Sequence, residues 1–546
     1  MRQGEHWLFL VVIVGVAAVL QAYGIDKIVL GSDELHPARA LISDDWSIVR
    51  YPWPEEATLE FYRNWPMHFP PLFALLTRAA VVVLGAGHVA LRLFPLLFGI
   101  AATFVSYFLY REFYGRRWAL IAPVLVGIAS DQVLTWAKAI KHYTADVLFC
   151  SLLLIVGKRL LERNRLQDWV FFGLLAVVSF WIGYGAVYFI ASIFLLLLIN
   201  LFRVARRGGT SLGPYLVPLV ITGVLTVASF AGLRVLAIQQ AVGNEVFMRS
   251  FGIQMLDHRR LGDLGYVAYF FARVGFQTLK LPWFFFRHSA AFAVLANALI
   301  AVWLVPRVRR RQWMEVGLVL LPWAFCVAAA VAGFYPFTAN RLLLFLLPSW
   351  MLMMVRGCAE GVAWVRQRSR LVALAIVAVL AVWVGLMIYR NVVDVSKMRL
   401  GGGRRIDLAV QYLAQNAQDG DTVFLHWAAI VGFYYYFTDH RPGYAHEYPI
   451  PGKAGSVRVI YGEQHNVLQD YEPLFRRVEE VPGRLWLLFG HKWPSEEMVT
   501  LETRLSAQRP LLSAYEQGKC RVVLFGPKPN PLGAGAVQRG NAVRSE

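Results

Sequence analysis

The chain has 546 residues, of which 57% are hydrophobic, and a mean hydropathy of +0.49. Soluble chains average about 45–50% apolar residues, so the composition excludes an ordinary soluble protein and implies a polytopic membrane protein. The formal charge of +19 does not point to nucleic acid, because the basic residues stand in short clusters between apolar spans, the positive-inside pattern.

A span needs about 20 apolar residues. The first covers roughly 7–29; it is too long for a signal-peptide core and no small-residue cleavage site ends it. A wet stretch follows, from Ser32 to Pro71, carrying Asp33, Glu34, Asp44, Asp45, Glu55, Glu56 and Glu60 among Trp46, Trp53, Phe61, Tyr62 and Trp65. Ionised carboxylates are costly in hydrocarbon, so this stretch must lie outside the lipid or line a cavity. Leu72 to Leu84 is apolar but short and holds Arg78, which reads as an interfacial or re-entrant helix.

Further spans are expected at roughly 89–110, 118–136 and 143–161. The run from Trp169 to Phe202 is too long for one span, and Gly183-Tyr184-Gly185 breaks it into a hairpin. Span seven is expected at 214–238, then a long polar loop at 240–287 with Arg249, Asp257, His258, Arg259, Arg260 and Arg273. The last spans are expected at 289–305, 314–333, 341–355 and 371–389, about eleven in all. With the N-terminus in the cytoplasm, the basic clusters after spans two, four, six, eight and ten all fall inside. The acidic stretch, the 240–287 loop and the tail then face outward.

The tail alternates an amphipathic helix, Ile406 to Leu413, with short apolar strands at Thr422 to His426, Arg484 to Gly490 and Cys520 to Phe525, which predicts a small α/β domain. The domains expected are a transmembrane body at 1–394, with outward loops at 31–88 and 240–287, an outward domain at 395–526, and a disordered Gly/Pro-rich tail at 527–546. The four cysteines show no CxxC or His/Cys ligand spacing, so no disulfide framework or zinc site is indicated.

Four groups of residues could carry chemistry. Asp33-Glu34 begins the wet stretch and suits a general base held just above the bilayer, although a solvated turn would also explain it. His68-Phe69-Pro70-Pro71 sets an extended lead into the interfacial helix and aims His68 at the same cavity; an incidental histidine at a helix start is the plainer alternative. Lys138, Lys141, His142 and Tyr143 sit on the outward side, where lysines are sparse. Snorkelling explains Lys138 best, whereas Asp146, inside an apolar span, is a functional candidate. Arg341, after Gly333 to Asn340, could bind a phosphate bidentately or simply anchor span ten at the interface. All four groups map to one side of the membrane.

Asp-Glu after the first span, a His-x-Pro-Pro about 35 residues on and Leu91-Arg92-Leu93-Phe94-Pro95 opening span two resemble the GT-C membrane glycosyltransferases. The likeness is to the protein O-mannosyltransferase and lipid A aminoarabinose transferase branch, and Tyr335-Pro336, Arg341, Pro348 and an outward domain with Asp421 before a strand fit it too. The resemblance implies many transmembrane helices, outward interfacial helices and a small outward domain. It also implies a polyprenyl-phosphate-linked sugar donor, a glycolipid, polysaccharide or protein acceptor, and a bacterial plasma membrane with the site facing outward.

By the same resemblance Asp33 matches the catalytic acidic position, with Glu34 beside it, and His68 a position held by His or Lys. The family's Arg-Tyr pair stands here as Lys141-His142-Tyr143. Glu34, His68, Lys141, His142, Tyr143 and Arg341 are the expected substrate-binding residues. No cofactor is predicted, and no DxD triplet in the first loop supports metal dependence. A flippase or transporter of lipid-linked glycans is the rival reading; against it, no paired interrupted spans occur in matching halves. A non-catalytic assembly scaffold would have no use for Asp33.

Overall fold

The computed structural model describes residues 3–28, 30, 34, 38, 41–42, 70–207, 212–234, 254–286, 290–397, 405–437, 447–462, 471–490, 494–517 and 519–529. Most of the wet stretch, with Asp33 and His68, lies outside the described residues, as does the tail from 530 on. The chain divides into two compact units. One holds residues 1–27 and 66–400, the other residues 28–65 and 401–546.

The first unit is helical. Its long elements are α1 (Gln3–Ala22), α2 (Pro71–Leu84), α3 (His88–Tyr114), α4 (Tyr143–Arg163), α5 (Leu166–Ile182), α6 (Ala186–Arg207), α7 (Gly213–Leu233), α8 (Leu264–Phe286), α9 (Ala290–Arg309), α10 (Trp313–Val331), α11 (Leu347–Arg368) and α12 (Arg370–Ser396). Among the described residues eight helices are long and apolar enough to cross a membrane, and the chain is an integral membrane protein. The shorter apolar α2 and α5 fall outside that number, so the expected count of about eleven is not reached by length and composition.

Several expectations hold locally. Pro70, extended at ψ 127°, and Pro71 at the first helical position start α2, which at 14 residues is too short to span. The long run breaks at residues 183–185, between α5 and α6.

Two expectations need correction. The region expected as span three is not one helix. It comprises Arg116–Ala119, Ile121–Val124, a π turn at Leu125–Ala129 and Asp131–Trp136. Ser130 ends the π turn in extended conformation, and its hydroxyl accepts the Val133 N–H, which starts a new helix. The loop expected at 240–287 contains α8, 23 residues long. Asp263 starts it by accepting the Tyr266 N–H, and Phe270, Val274, Leu281 and Phe285 form a buried helical stripe. Arg273, Lys280 and Pro282 masked that stripe in the sequence.

One end of the helical unit is tied by ion pairs. Glu112, near the end of α3, takes Arg159 and Arg163 from the last turns of α4. Arg307 of α9, 6% exposed, binds Glu315 of α10 and both oxygens of Glu360 of α11, and Arg356 binds Glu360 as well. Arg356 also lies 5.3 Å over the Tyr114 ring.

The second unit holds α13 (Ile406–Asn416), β1 (Thr422–Leu425), α14 (Ile430–Phe437), β2 (Glu447–Pro449), β3 (Ser456–Tyr461), α15 (Glu472–Glu479), β4 (Leu485–Phe489), α16 (Glu496–Gln508), β5 (Leu511–Gln517) and β6 (Cys520–Phe525). The sheet order is β2-β3-β1-β4-β6-β5. The central β3, β1 and β4 run parallel, while β2, β6 and β5 pair antiparallel. Every residue of β1 and β4 is buried, as a parallel sheet covered on both faces requires. Asp421 is structural: it accepts the indole N–H of Trp486 and the backbone N–H of Gln418.

Candidate active site

In the helical unit the expected residues Lys141, His142, Tyr143 and Arg341 meet around Trp136. The guanidinium of Arg341 lies 5.4 Å over the Trp136 ring, within cation–π range. Tyr143 packs edge-on to the same ring at 4.9 Å. His142 lies 4.9 Å from the Tyr143 ring and 5.3 Å from that of Tyr184. Lys141, half-buried, precedes His142 at the head of α4.

Local structure explains each placement. Asn340 caps the 3₁₀ turn Arg341–Leu346 by accepting the Leu342 N–H. The Tyr335 hydroxyl donates to the Leu342 carbonyl at 2.7 Å. Gln277 of α8 accepts the Ala339 N–H at 2.9 Å, and the Phe337 N–H donates to the Gln254 carbonyl. The misread loop thus carries the support for Arg341. Trp136 is held from below, its indole N–H donating to Gln132, whose amide donates to Asp131.

His142 is buried, with Nε2 3.5 Å from Asp146 Oδ2. Burial, and then the nearby charge of Lys141, push its pKa down to about 3. The imidazole is therefore neutral at pH 7, a hydrogen-bonding group and not a cation. Asp146, in the first turn of α4, accepts the Gly185 N–H at 2.9 Å. A Cβ on Gly183 would stand 2.3 Å from Asp146 Oδ1, and one on Gly185 would stand 2.3 Å from Phe345 Cβ. The Gly183-Tyr184-Gly185 hairpin is what lets the carboxylate and the 341–346 turn approach so closely.

Lys138 does not snorkel. It is 3% exposed and donates to the Tyr23 carbonyl at 3.0 Å. Burial, and then Arg92, lower its pKa to about 8. Arg92 is fully buried and donates to the Ile25 carbonyl at 2.9 Å. Two buried cations thus hold the Tyr23 and Ile25 carbonyls just past the end of α1.

Glu34 is half-buried and groups with the second unit. Asp33 and His68 lie outside the described residues. Sequence reasoning missed Asp131, Gln132, Trp136, Tyr184 and the burial of Arg92. Asp131 carried the same signal as Asp146, a carboxylate inside an apolar run. No group of three His, Cys, Asp or Glu side chains suited to a metal gathers among the described residues.

Residues 68–230 match the family model described as dolichyl-phosphate-mannose-protein mannosyltransferase. The crystal structure of ArnT from Cupriavidus metallidurans in the apo state is similar, with a TM-score of 0.52 and 15% identity over 96% of this chain and 98% of that one. The same protein bound to undecaprenyl phosphate gives 0.49 and 15% over 95% and 98%. Archaeal oligosaccharyltransferase AglB from Archaeoglobus fulgidus, in complex with an inhibitory peptide and a dolichol-phosphate, gives 0.48 and 13% over 80% and 64%. No curated protein matches the sequence.

Proposed function

We propose that the chain is a GT-C membrane glycosyltransferase and that it moves a sugar from a polyprenyl-phosphate-linked donor to an acceptor at the outward face of the membrane. The donor class is carried over from the matched family, which is named for a dolichyl-phosphate sugar. The acceptor is a glycolipid, a polysaccharide or a protein.

One observation supports this reading above the rest. Arg341 and the Lys141–Tyr143 run converge on Trp136 beside the buried Asp146, at the opposite end of α4 from the arginines paired with Glu112. Asp146 and Arg163 are separated by 17 positions on one helix, about 26 Å at 1.5 Å per residue, close to the thickness of a bilayer core. With the basic ends inside, the converged residues face outward.

In the step proposed, an acceptor hydroxyl or amide attacks the anomeric carbon. The bond from that carbon to the phosphate oxygen breaks, and its electron pair leaves with the polyprenyl phosphate. Asp33 takes the acceptor proton. Arg341, Lys141 and His68 stabilise the negative charge gathering on the phosphate, in a site organised before reaction. Glu34, Tyr143 and neutral His142 bind substrate by hydrogen bonds.

The test is transfer by purified protein from a polyprenyl-phosphate sugar, read as released polyprenyl phosphate, with mass spectrometry of the lipid that copurifies. Release that depends on Asp33 and on an added acceptor supports the reading. No release with any polyprenyl-linked donor rejects it.

A further inference from the structure

The head of α4 holds two polar atoms that the fold leaves unsatisfied. His142 is 8% exposed, and its Nδ1 has no hydrogen-bond partner among the described residues. The Tyr184 hydroxyl is buried and has none among them either. The two rings are neighbours, 5.3 Å apart and close to perpendicular. They stand on different elements, His142 at the start of α4 and Tyr184 in the break between α5 and α6. A buried polar group left unpaired costs about 1–3 kcal/mol, so two on adjacent rings call for a reason.

The surroundings define what would pair with them. Nε2 of His142 lies 3.5 Å from Asp146 Oδ2, and Asp146 is itself held by the Gly185 N–H. Phe73 packs edge-on to the imidazole at 6.2 Å, and the Tyr143 ring lies 4.9 Å away. A carboxylate beside Nε2 draws the ring proton to that side and leaves Nδ1 a bare acceptor. Nδ1 then needs a donor, while the phenol can donate or accept. Phosphate oxygens have nothing to donate. An ammonium does, but Lys141 already sets a positive charge near the ring, and like charges repel. A neutral hydroxyl satisfies both atoms.

We propose that His142 and Tyr184 form a subsite for a hydroxyl of the transferred sugar, so that the donor carries a neutral, hydroxyl-bearing sugar at that position. This rests on the function proposed above. The hairpin that carries Tyr184 abuts the Arg341–Leu346 turn, since a Cβ on Gly185 would meet Phe345. Ring contacts run from Tyr184 through His142 and Tyr143 to Trp136, under the Arg341 guanidinium. A sugar held at the pair therefore shares one site with the cation assigned to its phosphate. Tyr184 is then a substrate-binding residue, and Asp146 a positioning residue that fixes the face His142 presents.

The test uses full-length protein in detergent and two ligands, undecaprenyl phosphate alone and undecaprenyl-phosphate mannose. The parent is compared with Tyr184→Phe, which removes only the hydroxyl, and with His142→Gln, whose amide can still reach Asp146 but offers nothing at the Nδ1 position. The subsite predicts that each variant binds the mannose-linked ligand about 3–10-fold more weakly, the worth of one uncharged hydrogen bond. Binding of undecaprenyl phosphate alone should not change. The Tm of Tyr184→Phe should equal or exceed the parent's, because an unsatisfied group is removed. Parental binding of the mannose-linked ligand by Tyr184→Phe overturns the subsite, and so does an equal loss on both ligands, which would assign the pair to phosphate or lipid. A lower Tm in Tyr184→Phe also overturns it, as the mark of a hydroxyl bonded within the fold. Each of these leaves the proposed function standing if the parent transfers sugar. A parent that transfers from no polyprenyl-linked donor rejects that function, and the subsite with it.

Discussion

Gly183→Ala is the sharpest perturbation of the site. The new methyl would stand 2.3 Å from Asp146 Oδ1 and 2.9 Å from its Cγ. To reach ordinary contact the carboxylate must retreat by about 1 Å, and the 2.9 Å bond from the Gly185 N–H breaks. Losing a buried hydrogen bond costs about 0.5–1.5 kcal/mol, and overpacking a tight interior about 1–3 kcal/mol. Together they put the loss near 2–4 kcal/mol, a large share of the roughly 5–15 kcal/mol that holds a typical fold. Thermal unfolding in detergent should show a clear fall in Tm, and transfer should fall about 100-fold in the protein that remains folded. Asp146→Asn is the companion. Its side-chain oxygen can still accept the Gly185 N–H, so Tm should stay near the parent while transfer drops. Gly183→Ala with parental Tm and parental transfer would refute the packing argument. Asp146→Asn with parental transfer would reduce Asp146 to a structural acceptor.

Other outcomes follow from the same geometry. Asp33→Asn should keep expression, fold and bound lipid but lose about 10²–10⁴ in transfer, the usual cost of a missing general base; a parental rate sinks the mechanism. Glu34→Gln should be milder. Arg341→Lys keeps charge but loses the two-pronged geometry and the stacking on Trp136, so donor titration should show weaker binding; parental binding by Arg341→Ala would make Arg341 an anchor. A reporter active only outside the cytoplasm, fused after Val395, should give signal, and signal only from a cytoplasmic reporter would reverse the orientation. In the second unit, the His426 hydrogen bond lowers the pKa of Glu497 from about 4.5 to about 2. This contribution to stability is complete above pH 4.5 and lost as pH falls toward 2. After allowance for solvent screening it is worth about 1 kcal/mol, and Glu497→Gln should remove that slope from unfolding measured against pH.

Apolar length and the spacing of arginine clusters made the helical frame readable, and the Gly183–Gly185 break with it. The strands Thr422–Leu425, Leu485–Phe489 and Cys520–Phe525 were legible because buried parallel or central strands read as short continuous apolar runs. The edge strands β2 and β5 were not, since β2 is only three residues long and the second half of β5 carries the polar Glu516 and Gln517, so neither forms a continuous apolar run. Helix α8 was hidden by Arg273, Lys280 and Pro282, whose cost is met by tertiary packing that no local pattern displays. At the site, residue types pointed to Arg341 and Lys141–Tyr143. Their common support, Trp136, was invisible because it depends on a chain that turns at Ser130 and on a loop 200 residues away. Lys138 was misjudged for the same reason: its partner is the Tyr23 backbone carbonyl just past α1, which no side-chain pattern records.

The ion pairs at the basic end carry a consequence for biogenesis. Arg307 and Arg356 share Glu360, Arg307 also holds Glu315, and Arg159 and Arg163 share Glu112. In the packed protein these arginines are largely neutralised. While the chain is being inserted, α9, α10 and α11 have not yet met, so Arg307 is without these carboxylates, and under the proposed orientation its full charge counts toward retention in the cytoplasm. Under that orientation the same side chain is read twice, first as an address and later as a staple. The order matters physically, because a buried arginine whose carboxylates arrive late must wait at the water interface. The full set of pairs at that end is therefore complete only once all three helices are in place.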